Sequence, residues 1–192
     1  MVTGANGGLA KELCTQLVRE CDLRTLIVHC RRQDAATALC ASLQEQREKS
    51  CILVPVSGDF SSLKEVSAVA DSVMNKVETL DVLVCVAGIA TVPQRLLSTD
   101  GYELQFAVNH LAHFHLVSKL VPLLECGGGG RVVTVATTQS VIQRAQLDLD
   151  DLSSDKSYNM FSAYLGSKLV GVRLCVCMHV CMHMCMHMCM HV

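Results

Sequence analysis

Tyr164 and Lys168 stand four positions apart in Phe161–Leu174, a stretch with helical composition, so both side chains fall on one helix face. An ammonium group beside a phenol favours the phenolate, and such a pair is suited to passing a proton to and from a bound oxygen. A solvated tyrosine–lysine pair on an exposed helix has the same spacing. At the other end of the chain, Thr3-Gly4-Ala5-Asn6-Gly7-Gly8-Leu9-Ala10 follows a strand stub and opens a helix. Glycines at such a turn let the backbone approach a pyrophosphate, and the helix N-terminus receives its charge. Gly4, Asn6, Gly8 and Leu9 are the candidate contacts, although an ordinary glycine-rich turn between strand and helix also fits. The next apolar run ends Val28-His29-Cys30-Arg31-Arg32. Dinucleotide folds that take NAD place an acidic residue there for the ribose hydroxyls. Here the acid is missing, and two guanidiniums suit a 2′-phosphate. The expected cofactor is therefore NADP, with NAD less favoured, while a solvated arginine pair opening a helix is the plainer alternative.

The elements that must position these groups are legible as patterns. Leu9, Leu13, Leu17 and Val18 follow a 3.6-residue period in a helix over 7–20. Thr25–Cys30, Cys51–Val56, Leu80–Val86 and Arg131–Ala136 are short apolar runs consistent with buried strands. Between them, Ala35–Lys49, Leu63–Val77 and Gly101–Glu125 read as helices, and the glycines after Cys126 end the last. Residues 141–160 read as irregular and acidic. Strands alternating with helices predict an α/β fold, a doubly wound Rossmann-type parallel sheet with helices on both faces. Ligands of such sheets bind at the carboxyl ends of the strands, near the switch point.

The 192 residues suit about one domain. A formal charge of −2 gives no electrostatic case for nucleic acid or a polybasic membrane surface. With 51% apolar and 18% charged residues, composition argues against disorder. Of the 12 cysteines, Cys175, Cys177, Cys181, Cys185 and Cys189 crowd the end; the others are scattered without paired spacing, which reads as an intracellular protein with reduced thiols. The chain opens without a charged leader followed by an apolar stretch, so no secretory signal is expected. Three residues before the glycine turn predict an unusually short first strand, or a start inside it.

From Cys175 onward every residue is Cys, Met, His or Val, in an approximate four-residue repeat. Thiolate, thioether and imidazole suit Cu(I) or Zn, but on a helix the histidine and cysteine stripes lie roughly opposite. Leu169–Val192 is long enough to span a bilayer, but four histidines fit that poorly. The repeat can also be written as TGC-ATG-CAT codons, a simple DNA repeat translated without selection for a fold, and this reading is favoured. The domain expectation is accordingly a nucleotide-binding unit over 1–174 and a low-complexity tail over 175–192.

Several of these segments together resemble the short-chain dehydrogenase/reductase family. Thr3–Ala10 is similar to its TGxxxGxG signature, Leu80–Gly88 to "LDVLVNNAG", Arg131–Thr137 to "RIVNVSS" and Ala163–Leu169 to "AYxxSKL". Asp100–Phe114 resembles "DGxExxFxVNHLGHF", typical of the retinol-dehydrogenase-like branch. The resemblance covers residues 1–174 in one consistent order. It implies hydride transfer between a nicotinamide and an alcohol/carbonyl pair on a small molecule, retinol and other lipophilic ones included. Tyr164 and Lys168 would move the proton, Thr137 would orient the substrate in place of a serine, and Asn109 would support a relay water. Asp59 would contact adenine, and Ala87 and Gly88 would line its pocket. Because the family fold continues past Lys168, the resemblance also implies a sheet lacking its C-terminal strands. His110 and His113 are expected as packing or supporting groups, with no metal site. A truncated, inactive nucleotide-binding relative is the rival expectation, since Ala10 replaces a glycine and Cys85-Val86 replace two asparagines. Location is expected to be intracellular, either cytoplasmic or membrane-associated, and the oligomeric state is open.

Overall fold

The computed structural model describes residues 1–48, 50–126, 128–137, 148 and 150–171. The Cys/Met/His tail, and residues 141–147 and 149 of the expected irregular segment, lie outside the described residues. Among the described residues four strands are seen: β1 (Thr25–Cys30), β2 (Ile52–Ser57), β3 (Val82–Cys85) and β4 (Arg131–Thr134). β1 pairs in parallel with β2, from Thr25 opposite Ile52 to Cys30 opposite Ser57. β3 pairs in parallel with β4, from Val82 opposite Arg131 to Cys85 opposite Thr134. The Met1–Thr3 segment joins the pairs, because Val2 bridges Val28 on one side and Val84 on the other. The order across the sheet is thus β2, β1, the Val2 segment, β3, β4. The chain winds first to one side of Val2 and then to the other, so the switch point falls at the glycine turn.

Burial explains which runs became which strands. Leu26, Ile27, Val28, His29 and Cys30 are all buried, as in a parallel strand covered on both faces. β2 carries Pro55 and has β1 as its partner among the described residues, so the missing amide N–H sits where no ladder bond is needed.

The helices are α1 (Gly8–Glu20), α2 (Gln33–Gln46), α3 (Leu63–Met74), the short α4 (Leu104–Phe106) and α5 (Ala112–Cys126), and residues 160–171 form α6. Apolar residues of α1 and α2 bury Ala10, Cys14, Val18, Leu39 and Leu43 in one core. Those of α3 and α5 bury Val66, Val69, Val73, Leu116 and Leu120 in a second. Two cores, each fed by the sheet, are what helices on both faces of a doubly wound sheet produce. Ala10, where the resembled signature has glycine, buries its methyl in the first core.

Most element ends shift from the pattern reading by a few residues, β4 for example ending at Thr134, and two of the differences have a specific physical cause. The Leu80–Val86 run yields a strand of only four residues, because the N–H groups of Val86 and Ala87 turn to the Thr3 hydroxyl, at 2.9 and 3.0 Å. The helix expected over 101–125 is interrupted by a π-helical segment, Ala107–Leu111, where Ala112 N–H reaches back five residues to Ala107 O. π segments of this kind are frequent at functional sites, and this one carries Asn109.

Candidate active site

The strand ends open onto one cleft of about 710 Å³. Gly4, Asn6, Gly7, Gly8 and Leu9 form its floor at the switch point. Arg31 follows β1, Gly58 and Asp59 follow β2, Val86 to Ala90 follow β3, and Val135 and Ala136 follow β4. Tyr164 and Lys168 enter from α6.

The floor is shaped by glycine. Gly4 has φ +63°, and a Cβ there would stand 2.7 Å from Ala87 Cα. Only glycine meets both conditions without strain. A Cβ on Gly8, in contrast, would meet nothing within 4 Å. Helix α1 starts at Gly8 with no side-chain cap on its first N–H groups and no acidic residue in its first turn. Those donors and the helix dipole face the cleft, an arrangement that receives an anion.

The far wall is organised by Asn109, which is buried one layer behind Gly88 and Ile89. Its Oδ1 accepts from Ile89 N–H at 2.8 Å, and its Nδ2 donates to Ile89 O at 2.9 Å and to Ser167 Oγ at 3.0 Å. Ser167 in turn donates to Tyr164 O at 2.7 Å. One amide therefore ties the post-β3 segment to the helix that carries Tyr164 and Lys168. Lys168 Nζ donates to Val135 O at 3.1 Å, and burial lowers its pKa from the ordinary lysine value, with the nearby Cys85 opposing that shift. A second clamp holds the start of α6. Gln105, fully buried, donates to Tyr158 Oη and to Met160 O, each at 3.1 Å, while Tyr158 donates to Val92 O at 2.7 Å.

Of the residues expected from the sequence, the cleft lining includes Gly4, Asn6, Gly8, Leu9, Arg31, Asp59, Ala87, Gly88, Tyr164 and Lys168. Asn109 supports that lining from behind. Arg32 points to solvent and pairs with Asp34. Thr137 is described, but the lining reaches only its neighbours Val135 and Ala136. Pattern reading passed over Ser167, although it stands beside Lys168. It also passed over Gln105, Tyr158 and His29, whose types and spacing carry no signal before the chain folds. His110 lies against the rings of Phe106 and Phe114, and burial lowers its pKa. Among the described residues no group of three His, Cys, Asp or Glu side chains could hold a metal ion.

The doubly wound sheet with a glycine turn and an open helix N-terminus at its switch point defines a Rossmann-type fold. The profile of the short chain dehydrogenase family matches residues 1–148. Human retinol dehydrogenase 14 is 32% identical over 184 residues, covering 90% of this chain and 53% of its own. Bovine retinol dehydrogenase 12 is 32% identical over 172 residues, covering 90% and 52% respectively. The crystal structure of an uncharacterized protein from Mycobacterium paratuberculosis superposes with a TM-score of 0.70 at 30% identity, over 87% of this chain and 56% of that one. This chain belongs to the short-chain dehydrogenase family, and it spans about half the length of the curated relatives it matches.

Proposed function

We propose that the protein is an NADP(H)-dependent oxidoreductase that interconverts an alcohol and a carbonyl on a lipophilic small molecule of the retinol kind. The observation that carries this reading is the convergence of Tyr164 and Lys168 with the glycine turn on one cleft. The residues fit a dinucleotide: Gly4 allows the close turn, uncapped α1 N–H groups would take the pyrophosphate, and Asp59 with Ala87 and Gly88 would flank the adenine. Arg31, at the rim after β1, would meet a 2′-phosphate, and Arg32 would add charge once released from Asp34. When bound, the nicotinamide supplies or accepts a hydride.

The chain's own residues would manage the proton. Tyr164 would hold it at its phenol oxygen next to the substrate oxygen, with the Lys168 ammonium favouring transfer. Asn109 would keep Lys168 and the Ile89 backbone in register, and Thr137 would orient the substrate through its hydroxyl. The names of the retinol dehydrogenases it resembles support the substrate class.

A second reading, a nucleotide-binding relative without turnover, rests on Thr137 standing outside the lining and on Cys85-Val86 in place of two amides. Calorimetric titration with NADPH and NADH, followed by cofactor absorbance assays over retinol and other alcohols and aldehydes, separates the two. Binding with turnover supports the first reading. Binding without turnover on any substrate supports the second, and no binding of either cofactor removes both.

A further inference from the structure

A line of buried aromatic groups runs inward from the cleft lining, from His29 and Phe60 to His113. The His29 ring stacks on Phe60 at 4.3 Å between centroids, and Phe60 meets the edge of His113 at 5.4 Å. The hydrogen bonds at the two imidazoles fix opposite proton positions. At His29, Nδ1 receives Gly4 N–H at 3.2 Å, so Nε2 must carry the hydrogen that reaches Gly58 O at 3.1 Å. At His113, Nδ1 lies 3.2 Å from Asn109 O, which accepts only. The other nitrogen, Nε2, lies 3.1 Å from Thr3 Oγ1. That hydroxyl already accepts from Val86 and Ala87 N–H, so its single hydrogen turns to Nε2 at 3.1 Å in preference to the more distant Val84 O at 3.4 Å. An Nε2–H imidazole would press a third donor on Thr3 and set a lone pair against the Asn109 carbonyl. The bonding pattern is complete only with the hydrogen on Nδ1.

The consequence is positional. Thr3 is the last residue before Gly4, and Asn109 sits in the π segment and holds both Ile89 and Ser167. We propose that His113, as the Nδ1–H tautomer, is a positioning residue that couples the glycine turn to the Asn109 segment, so that the cofactor floor and the helix bearing Tyr164 and Lys168 are set as one unit. The functional half of this statement rests on the dinucleotide reading above; the tie itself does not.

The test has two independent arms. Nitrogen-15 NMR of the histidine rings in the intact protein reads the tautomers directly. The expected result is a protonated Nδ1 and bare Nε2 at His113, the reverse at His29, and a shift of the His113 Nε2 resonance in Thr3→Val. An Nε2–H His113, or a resonance blind to the Thr3 change, overturns the tie. The second arm measures NADPH affinity and turnover in two amide variants. His113→Asn keeps a donor near Asn109 O but loses Thr3, and His113→Gln reaches Thr3 but releases Asn109. Each is expected to weaken NADPH binding roughly tenfold, the loss of about one buried hydrogen bond. His113→Gln should also lower kcat, while His113→Asn keeps more of it. Variants matching the parent in both quantities overturn the coupling. If the parent binds neither NADPH nor NADH, the dinucleotide reading fails, and the ring spectra still decide the tie.

Discussion

Asn109 and Ile89 face each other through a closed pair of hydrogen bonds, side-chain amide against backbone amide, at 2.8 and 2.9 Å. The pairing uses the donor and acceptor ends of the asparagine at once, so no isosteric acid can replace it. Asn109→Asp would leave Ile89 O and Ser167 without their donor and would bury a charge. The expected cost is about 3 kcal/mol in urea unfolding, with Asn109→Ala less severe. Equal midpoints for parent and Asn109→Asp would show that these bonds carry no weight.

The two glycines of the turn should behave differently. Gly4→Ala meets Ala87 at 2.7 Å from a positive φ, so it should destabilise the fold and abolish dinucleotide binding together. Gly8→Ala meets open space. It should leave the thermal midpoint unchanged or higher, since alanine is the better helix former by about 1 kcal/mol, and still weaken NADPH binding where the pyrophosphate needs that space. Calorimetry with both variants checks the contrast, and unaltered affinity in Gly8→Ala would place the phosphates elsewhere.

Arg31 lines the cleft while Arg32 is held by Asp34 at the surface. Arg31→Ala should therefore weaken NADPH at least tenfold, about 1.4 kcal/mol, with little change for NADH. Arg32→Ala should have the smaller effect on the same ratio. A ratio of NADPH to NADH affinity that ignores Arg31 would refute the assignment of the 2′-phosphate site.

Tyr164→Phe removes one hydroxyl from the cleft wall and none from the Asn109–Ser167 tie, which uses Tyr164 O. Folding and cofactor affinity should persist while turnover falls by roughly 10²–10⁴, the usual worth of a positioned proton donor. Full turnover in Tyr164→Phe would move the proton transfer to another group.

Stability should depend on acid through two histidines. Burial holds His29 and His113 at about 4, below the ordinary 6.5. The unfolded chain then binds more protons, so stability is whole above pH 6.5 and is lost as pH falls toward 4, where the folded state begins to protonate as well. The loss should be on the order of 3 kcal/mol per histidine. Urea midpoints measured across that interval should fall with acid, and His113→Asn should flatten the slope. A flat profile in the parent would mean that both rings charge without opposition.

Much of this architecture was legible because it rests on local physics. The glycine turn, the buried Thr25–Cys30 run and the Tyr164–Lys168 spacing each follow from one stretch of sequence, whereas β2 and β4, expected to be buried, leave most of their residues half-buried or exposed. What was not legible depends on residues far apart in the chain. The short β3 results from a hydroxyl at Thr3 collecting two N–H groups more than eighty positions away. The π segment at Asn109 interrupts a pattern that composition alone continues as a plain helix. The family resemblance marked His113 as a supporting group, but its proton position emerges only when Thr3 and the Asn109 carbonyl stand on either side of it. Thr137 shows the reverse case, a residue named by its place in a motif whose neighbours, not itself, reach the cleft lining.

The Val2 segment has a further consequence for how the chain assembles. Among the described residues it is the one ladder contact between the β1–β2 pair and the β3–β4 pair, with Val28 on one flank and Val84 on the other. This segment is therefore made before both of its partners, and the second flank stays bare until β3 has emerged. Closing such long loops slows folding. A nascent chain stalled before β3 should expose that flank to chaperones. Under a pulling force, the β1–β2 and β3–β4 pairs should part along this seam before either pair comes undone.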